Sequence, residues 1–146
     1  MFTTDFDQYA CESDKITCEK DGFTIKAQIV YDDSIDAPNE RDDGFWPSRN
    51  PNDAGYIGEN PEKPYDVQMQ EAKDIMKAWK NDEWFYCGIV LAVSKNGVLL
   101  DDHAASLWGI ECNYPNGDKN AYLREVANDL LPEAIQAGKN TLKKLI

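Results

Sequence analysis

The sequence predicts an α+β fold: an antiparallel sheet of about five strands, two hairpins plus one strand, with helices packed on one face and a long acidic loop. Three observations carry that expectation. Apolar residues recur with period two around two turn dipeptides, Asp21-Gly22 and Asn96-Gly97. They recur with helical period over residues 66–81 and again from Asn120 onward. Between residues 32 and 66 periodicity vanishes, and Asp, Asn, Gly and Pro dominate.

The first hairpin spans Lys15 to Tyr31. Ile16 and Cys18 precede the turn, and Phe23, Ile25, Ala27, Ile29 and Tyr31 alternate after it. A primed two-residue turn sets Cys18 opposite Ile25 and Ile16 opposite Ala27, so both strands turn one apolar face inward while Thr24, Lys26 and Gln28 face water. The stretch from Asp32 to Asp66 is too long for an ordinary connection, and a loop of that length is functional or disordered. Phe45, Trp46, Tyr56 and Ile57 argue against disorder, because their rings need burial in the core or in a partner.

Asp66 is placed to cap a helix running to about Asn81, with Met69, Ala72, Ile75, Met76 and Trp79 on one stripe. That is the pattern of an amphipathic helix packed on a sheet. Trp84 to Ser94 is apolar on both faces, as a central strand is, and Asn96-Gly97 pairs Lys95 with Val98 and Val93 with Leu100. Residues 101–106 read as a connection, and Leu107 to Tyr114 as a further strand with Trp108, Ile110, Cys112 and Tyr114 on one face. From Asn120 the period is helical, with Tyr122, Leu123, Val126, Ala127, Leu130 and Leu131 inward, and Pro132 begins a second helical segment.

A chain of 146 residues matches one domain, 1–146, and its sixteen aromatics supply a core without disulfides or metals. No stretch approaches the ~20 apolar residues of a membrane span, and the first residues lack a signal-peptide pattern. A cytoplasmic location is expected, with no membrane partner. The four cysteines are scattered, which in a reducing compartment means free thiols.

The formal net charge is −12, and its distribution is uneven. Residues 1–66 hold sixteen Asp and Glu against six Lys and Arg, whereas residues 67–146 hold eleven against nine. Such a field repels nucleic acid and anionic membrane and attracts basic surfaces. Six carboxylates, Asp32, Asp33, Asp36, Glu40, Asp42 and Asp43, fall within twelve residues, offset only by Arg41. They present charges several ångström apart, and DNA carries one charge per ~3.4 Å along each strand. These six residues, with Phe45, Trp46 and Tyr56 as aromatic anchors, are the candidate partner-binding site. The expected partner is a basic, nucleic-acid-binding protein, with no direct contact to nucleic acid.

Other chemistries are weaker. A divalent cation among Asp32, Asp33, Asp36, Asp42 and Asp43 is a second use of the cluster, but the only EF-hand-like run, from Asn50, has Ala54 at a ligand position and Pro61 at the twelfth. Asp101-Asp102-His103 with Ser106 invites a catalytic reading, without the glycine-rich elbow that exposes a nucleophile. Cys87 and Cys112 carry no thiol-enzyme signature. No cofactor motif occurs, and no enzyme is expected; a small enzyme or metal-dependent protein centred on His103, and a structural or regulatory homodimer, are the alternatives.

The stretches Asp43-Gly-Phe-Trp-Pro-Ser-Arg-Asn-Pro-Asn-Asp-Ala-Gly-Tyr-Ile-Gly58, Asn81-Asp-Glu-Trp-Phe-Tyr-Cys-Gly88 and Asp101-Asp-His-Ala-Ala-Ser-Leu-Trp-Gly-Ile-Glu-Cys-Asn-Tyr-Pro115 resemble a group of small uncharacterised proteins carried by bacteriophages and mobile elements. The resemblance covers residues 43–130 and brings no activity that transfers residue by residue. It implies a setting, the cytoplasm of a host cell, in which small acidic proteins act against host defences, hence inhibition of restriction or CRISPR systems as a candidate role with a basic host protein as partner. Nucleic-acid mimicry as the mode rests instead on the acidic run 32–43.

Overall fold

Two glycine-containing turns organise the sheet. Asp21 and Gly22 both take positive φ (54° and 83°), as do Asn96 and Gly97 (52° and 79°), the backbone that joins antiparallel strands through two residues. The structure, a computed structural model, describes residues 1–41 and 43–145. It divides into two compact units: one comprises Met1–Asp33 with Phe85–Ile146, the other Ser34–Trp84.

In the first unit, β1 (Lys15–Lys20), β2 (Phe23–Tyr31), β3 (Phe85–Lys95) and β4 (Val98–Cys112) form one four-stranded antiparallel sheet in the order β1-β2-β3-β4. The fold is α+β with two helices, α1 (Tyr65–Lys80) and α2 (Ala121–Lys144). The first hairpin has the expected register, with Cys18 opposite Ile25 and Ile16 opposite Ala27. β3 is central, between β2 and β4.

Among the described residues the expected fifth strand does not form, because residues 101–106 do not leave the sheet. They continue β4, which absorbs its surplus residues in register shifts between Cys87 and Ile89, between Leu91 and Val93, and between Val93 and Ser94. Lys95 pairs with Val98 as expected, but Val93 pairs with Asp101 instead of Leu100. Opposite Gly88, two residues of β4 occupy the space of one: Leu107 pairs with Ile89, Ile110 pairs with Cys87, and Trp108 and Gly109 bulge between them. Gly109 permits this with φ of 73°. The bulge turns Trp108 to the face opposite Ile110 and Cys112, where its indole covers Gly88 and leaves no room for a Cβ there. The expected shared face of Trp108, Ile110, Cys112 and Tyr114 is therefore corrected: alternation fails at the bulge, and β4 ends at Cys112.

The other face of the sheet holds the core. Ile25, Ala27, Ile29, Cys87, Ile89, Leu91 and Val93 are fully buried there, and α2 packs against β2, β3 and β4. Contrary to the expected break, α2 is continuous through Pro132. An interior proline costs ~3 kcal/mol, and burial stabilises by ~1.5–3 kcal/mol per large apolar side chain, so Leu123, Val126, Leu131 and Ile135 together outweigh it. Tyr122, expected inward, is half exposed.

Residues 1–14 form no helix or strand, yet Phe2, Phe6 and Ala10 are buried in the same core. Asparagine amides hold this segment by its backbone. Asn128 Oδ1 accepts the Phe2 N–H at 2.7 Å, and Asn113 exchanges two 2.8 Å hydrogen bonds with the Ala10 backbone. Asn120, 5% exposed and left-handed with φ of 68°, accepts the Asn113 N–H. Its amide donates to the carbonyls of Asp7 and Gln8 and to Asn113 Oδ1.

In the second unit, α1 buries Ala72, Met76 and Ala78, and Trp84 donates its indole N–H to the Ile75 carbonyl at 3.0 Å. Asp66 lies in the first turn, where its charge suits the helix dipole, but Pro64 occupies the cap position and no side chain bonds there. Among the described residues, no helix is long and apolar enough to cross a membrane.

Candidate partner-binding site

The nine residues singled out by sequence divide between the units. Asp32 and Asp33 close the first; Asp36, Glu40, Asp43, Phe45, Trp46 and Tyr56 belong to the second, and Asp42 lies outside the described residues.

Asp32 is buried, at 7% exposure, and its carboxylate is committed inside the fold. Its Oδ2 accepts the Gly109 N–H at 3.0 Å, which satisfies a donor that the bulge removes from the β-ladder. Asp32 is thus a structural carboxylate and presents little of itself to a partner. Asp33, Asp36, Glu40 and Asp43 are exposed. Arg41 Nε stands 3.3 Å from Asp43 Oδ2 and screens that charge. Asp36 and Glu40 have no ion pair among the described residues.

The chain from Asp43 to Gly58 is tightly organised although it contains no helix and only one bridge, between Ser48 and Tyr56. The Ser48 N–H donates to the Gly55 carbonyl at 2.9 Å, and the Ile57 N–H to the Ser48 carbonyl at 3.0 Å. The Ser48 hydroxyl donates to Asp53 Oδ2 at 2.5 Å and accepts the Asn50 N–H at 3.0 Å. Gly55 is packed so closely on the Trp46 carbonyl that a Cβ would collide with it. Gly44 is left-handed, with φ of 80°, against the Ala54 carbonyl. These contacts fix Phe45 and Trp46 edge to face, with ring centroids 5.0 Å apart and planes at 79°. Trp46 is 37% exposed, Phe45 and Tyr56 are half-buried.

Beside this pair lies an open cleft of about 570 Å³, walled by Phe45, Trp46, Arg41, Arg49, Tyr65 and Met69. The Arg49 guanidinium sits 4.2 Å from the Tyr65 ring centroid, a cation–π contact that holds its planar fork in place. Sequence reasoning missed both arginines as site residues, because a run of carboxylates dominates their neighbourhood. The signal available was their position inside an aromatic-rich loop.

His103 is exposed on β4. Its Nε2 lies 2.9 Å from Ser106 Oγ, and the Trp108 indole N–H donates to the same oxygen at 3.2 Å. The indole can only donate, so it takes one Oγ lone pair; the histidine tautomer then sets whether the serine proton points at Nε2. Asp101 does not orient the imidazole. Its Oδ1 accepts the His103 backbone N–H at 3.0 Å.

No three His, Cys, Asp or Glu side chains gather as a metal-binding group among the described residues. Cys87 and Cys112 are buried, and burial and a hydrogen bond with Cys112 push the Cys87 thiol far above its ordinary range, with the Cys112 contact the larger cause. Such a thiol is inert as a nucleophile at neutral pH. Comparison of the chain with protein-family models, curated proteins and solved structures finds no match.

Proposed function

We propose that this chain is an acidic binding protein of a phage or mobile element that inhibits a host nucleic-acid-binding defence system, of the restriction or CRISPR type, by occupying its basic surface as nucleic acid does. One observation supports it above the rest: Asp36 and Glu40 are exposed and unpaired among the described residues, and the chain leads from them into the half-open Phe45–Trp46 pair, fixed by its loop. Unscreened carboxylates accelerate encounter with a basic patch, and a held aromatic supplies affinity at little cost in conformational entropy.

The test is capture of host proteins on the immobilised chain, elution in salt steps and identification by mass spectrometry. Basic nucleic-acid enzymes are expected to elute as salt rises, and the Asp36→Asn/Glu40→Gln variant should release them at lower salt. Unchanged retention and salt dependence in that variant would sink the electrostatic mode.

A second reading rests on the 2.9 Å approach of His103 Nε2 to Ser106 Oγ, the geometry of a base and a hydroxyl nucleophile. It requires His103-dependent labelling of Ser106 by a fluorophosphonate. A labelling rate unchanged in His103→Ala removes it.

A further inference from the structure

Residues 34–84 contain twelve acidic and six basic side chains, yet three of the six cations gather in one place. Lys73, Lys77 and Lys80 follow one another at spacings of four and three, which sets them on one face of α1. Together with Trp46 they line a cleft of about 370 Å³, floored by Met76. Asn39 and Asn81 complete the lining, which includes no carboxylate among the described residues. None of the three lysines has an ion pair among the described residues, in contrast to Lys63, whose Nζ lies 3.0 Å from Glu71. Among the described residues, three ammonium groups thus stand without carboxylate partners around a concavity that Trp46 also lines.

We propose that this cleft binds a nucleoside phosphate, with the base on the Trp46 indole and the phosphates among Lys73, Lys77 and Lys80. The inference goes beyond the acidic-surface reading and stands on different residues, apart from Trp46. The helix rises ~1.5 Å per residue, so the lysine row spans about 10 Å, enough for a phosphate chain with its ribose. The volume falls within the ~300–1,000 Å³ of small-ligand sites, toward the lower end. A nucleotide is the ligand class that combines a flat ring with clustered negative charge, and aromatic stacking with lysine pairing answers both parts. Asn39 and Asn81 amides supply donors and acceptors for a base edge. The C-terminal end of α1 opposes an anion through its dipole, as does the net charge of −12. The lysines must overcome both, which makes their removal decisive.

The experiment is isothermal titration of the full chain with ADP at 50 mM salt and no added divalent cation, with adenosine, inorganic phosphate and phosphotyrosine as separate probes. ADP is expected to bind at least tenfold more tightly than adenosine or phosphate. Binding should fall at least tenfold in Lys77→Ala/Lys80→Ala and about fivefold in Trp46→Ala, and stay unchanged in Lys139→Ala/Lys143→Ala. All the substituted lysines are exposed, and circular dichroism verifies that each variant folds. Absence of ADP binding at millimolar concentration, equal affinity in the Lys77→Ala/Lys80→Ala variant, or tighter binding of phosphotyrosine than of ADP overturns the proposal. Partner capture read through Asp36 and Glu40 is a separate result, so either idea can fail without the other.

Discussion

Asn120→Ala removes a side chain that does three things at once. Its Oδ1 accepts the Asn113 N–H at 2.8 Å, its amide donates to the Asp7 carbonyl at 2.9 Å, and the same amide holds Asn113 Oδ1 at 2.8 Å. The site is 5% exposed, so water does not replace these partners freely. At about 1 kcal/mol per hydrogen bond, the loss is about 3 kcal/mol. Alanine also has to adopt φ of 68°, which adds about 1 kcal/mol. The expected cost is about 4 kcal/mol for Asn120→Ala and about 3 kcal/mol for Asn120→Gly, which tolerates the left-handed backbone. For a chain of this length that corresponds to a fall in Tm of about 10 °C. Urea denaturation followed at 222 nm measures the difference, and limited trypsin digestion reports release of residues 1–14, cutting after Lys15. A cost below about 1 kcal/mol for Asn120→Ala would refute the network argument. Equal costs for Ala and Gly would remove the backbone share.

Four further outcomes are expected. Asp32→Ala strands the Gly109 N–H and should cost about 2 kcal/mol, while salt-dependent partner capture stays as in the parent. Gly88→Ala drives a Cβ into the Trp108 indole and should cost about 1–3 kcal/mol, a penalty that urea melts should find largely relieved when Trp108→Ala is added. Among the thiols, exposed Cys11 should react first with a chromogenic disulfide and Cys18, raised mainly by burial, more slowly, while Cys87 and Cys112 wait for unfolding; prompt reaction of all four contradicts the buried pair. Because the folded Cys87 thiol is raised, through its contact with Cys112 and by burial, its stabilisation is complete below the unfolded value near 9 and is lost as pH climbs above it; urea midpoints at pH 8 and 10 should converge in Cys87→Ala relative to the parent.

What the sequence made legible follows local rules. Asp21-Gly22 and Asn96-Gly97 have no comfortable alternative to a two-residue turn, so both hairpins and the register of the first were readable, and α1 followed from its stripe. The misses are all tertiary. Gly109 inside an alternating run was a visible hint of a bulge, but only the sheet shows that Trp108 crosses to the other face and that Asp32 turns inward to serve the freed N–H. Pro132 reads as a break because the gain from burying α2 is not local. The lysine cleft escaped notice for a related reason: Lys73, Lys77 and Lys80 look like an ordinary wet helix face until Trp46, far away in sequence, joins them in lining one cleft.

The asparagine clasp on residues 1–14 also sets an order of events during synthesis. Phe2 leaves the ribosome well before Asn128, the residue that receives its N–H, and 126 positions separate the two. Ala10 waits for Asn113 across 103 positions. Until β4 and the first turns of α2 have emerged, Phe2 and Phe6 have no seat and stay available to chaperones. A chain interrupted before Asn128 would therefore leave the Phe2 N–H without that acceptor, so this clasp on residues 1–14 closes only after the first turns of α2 have been made.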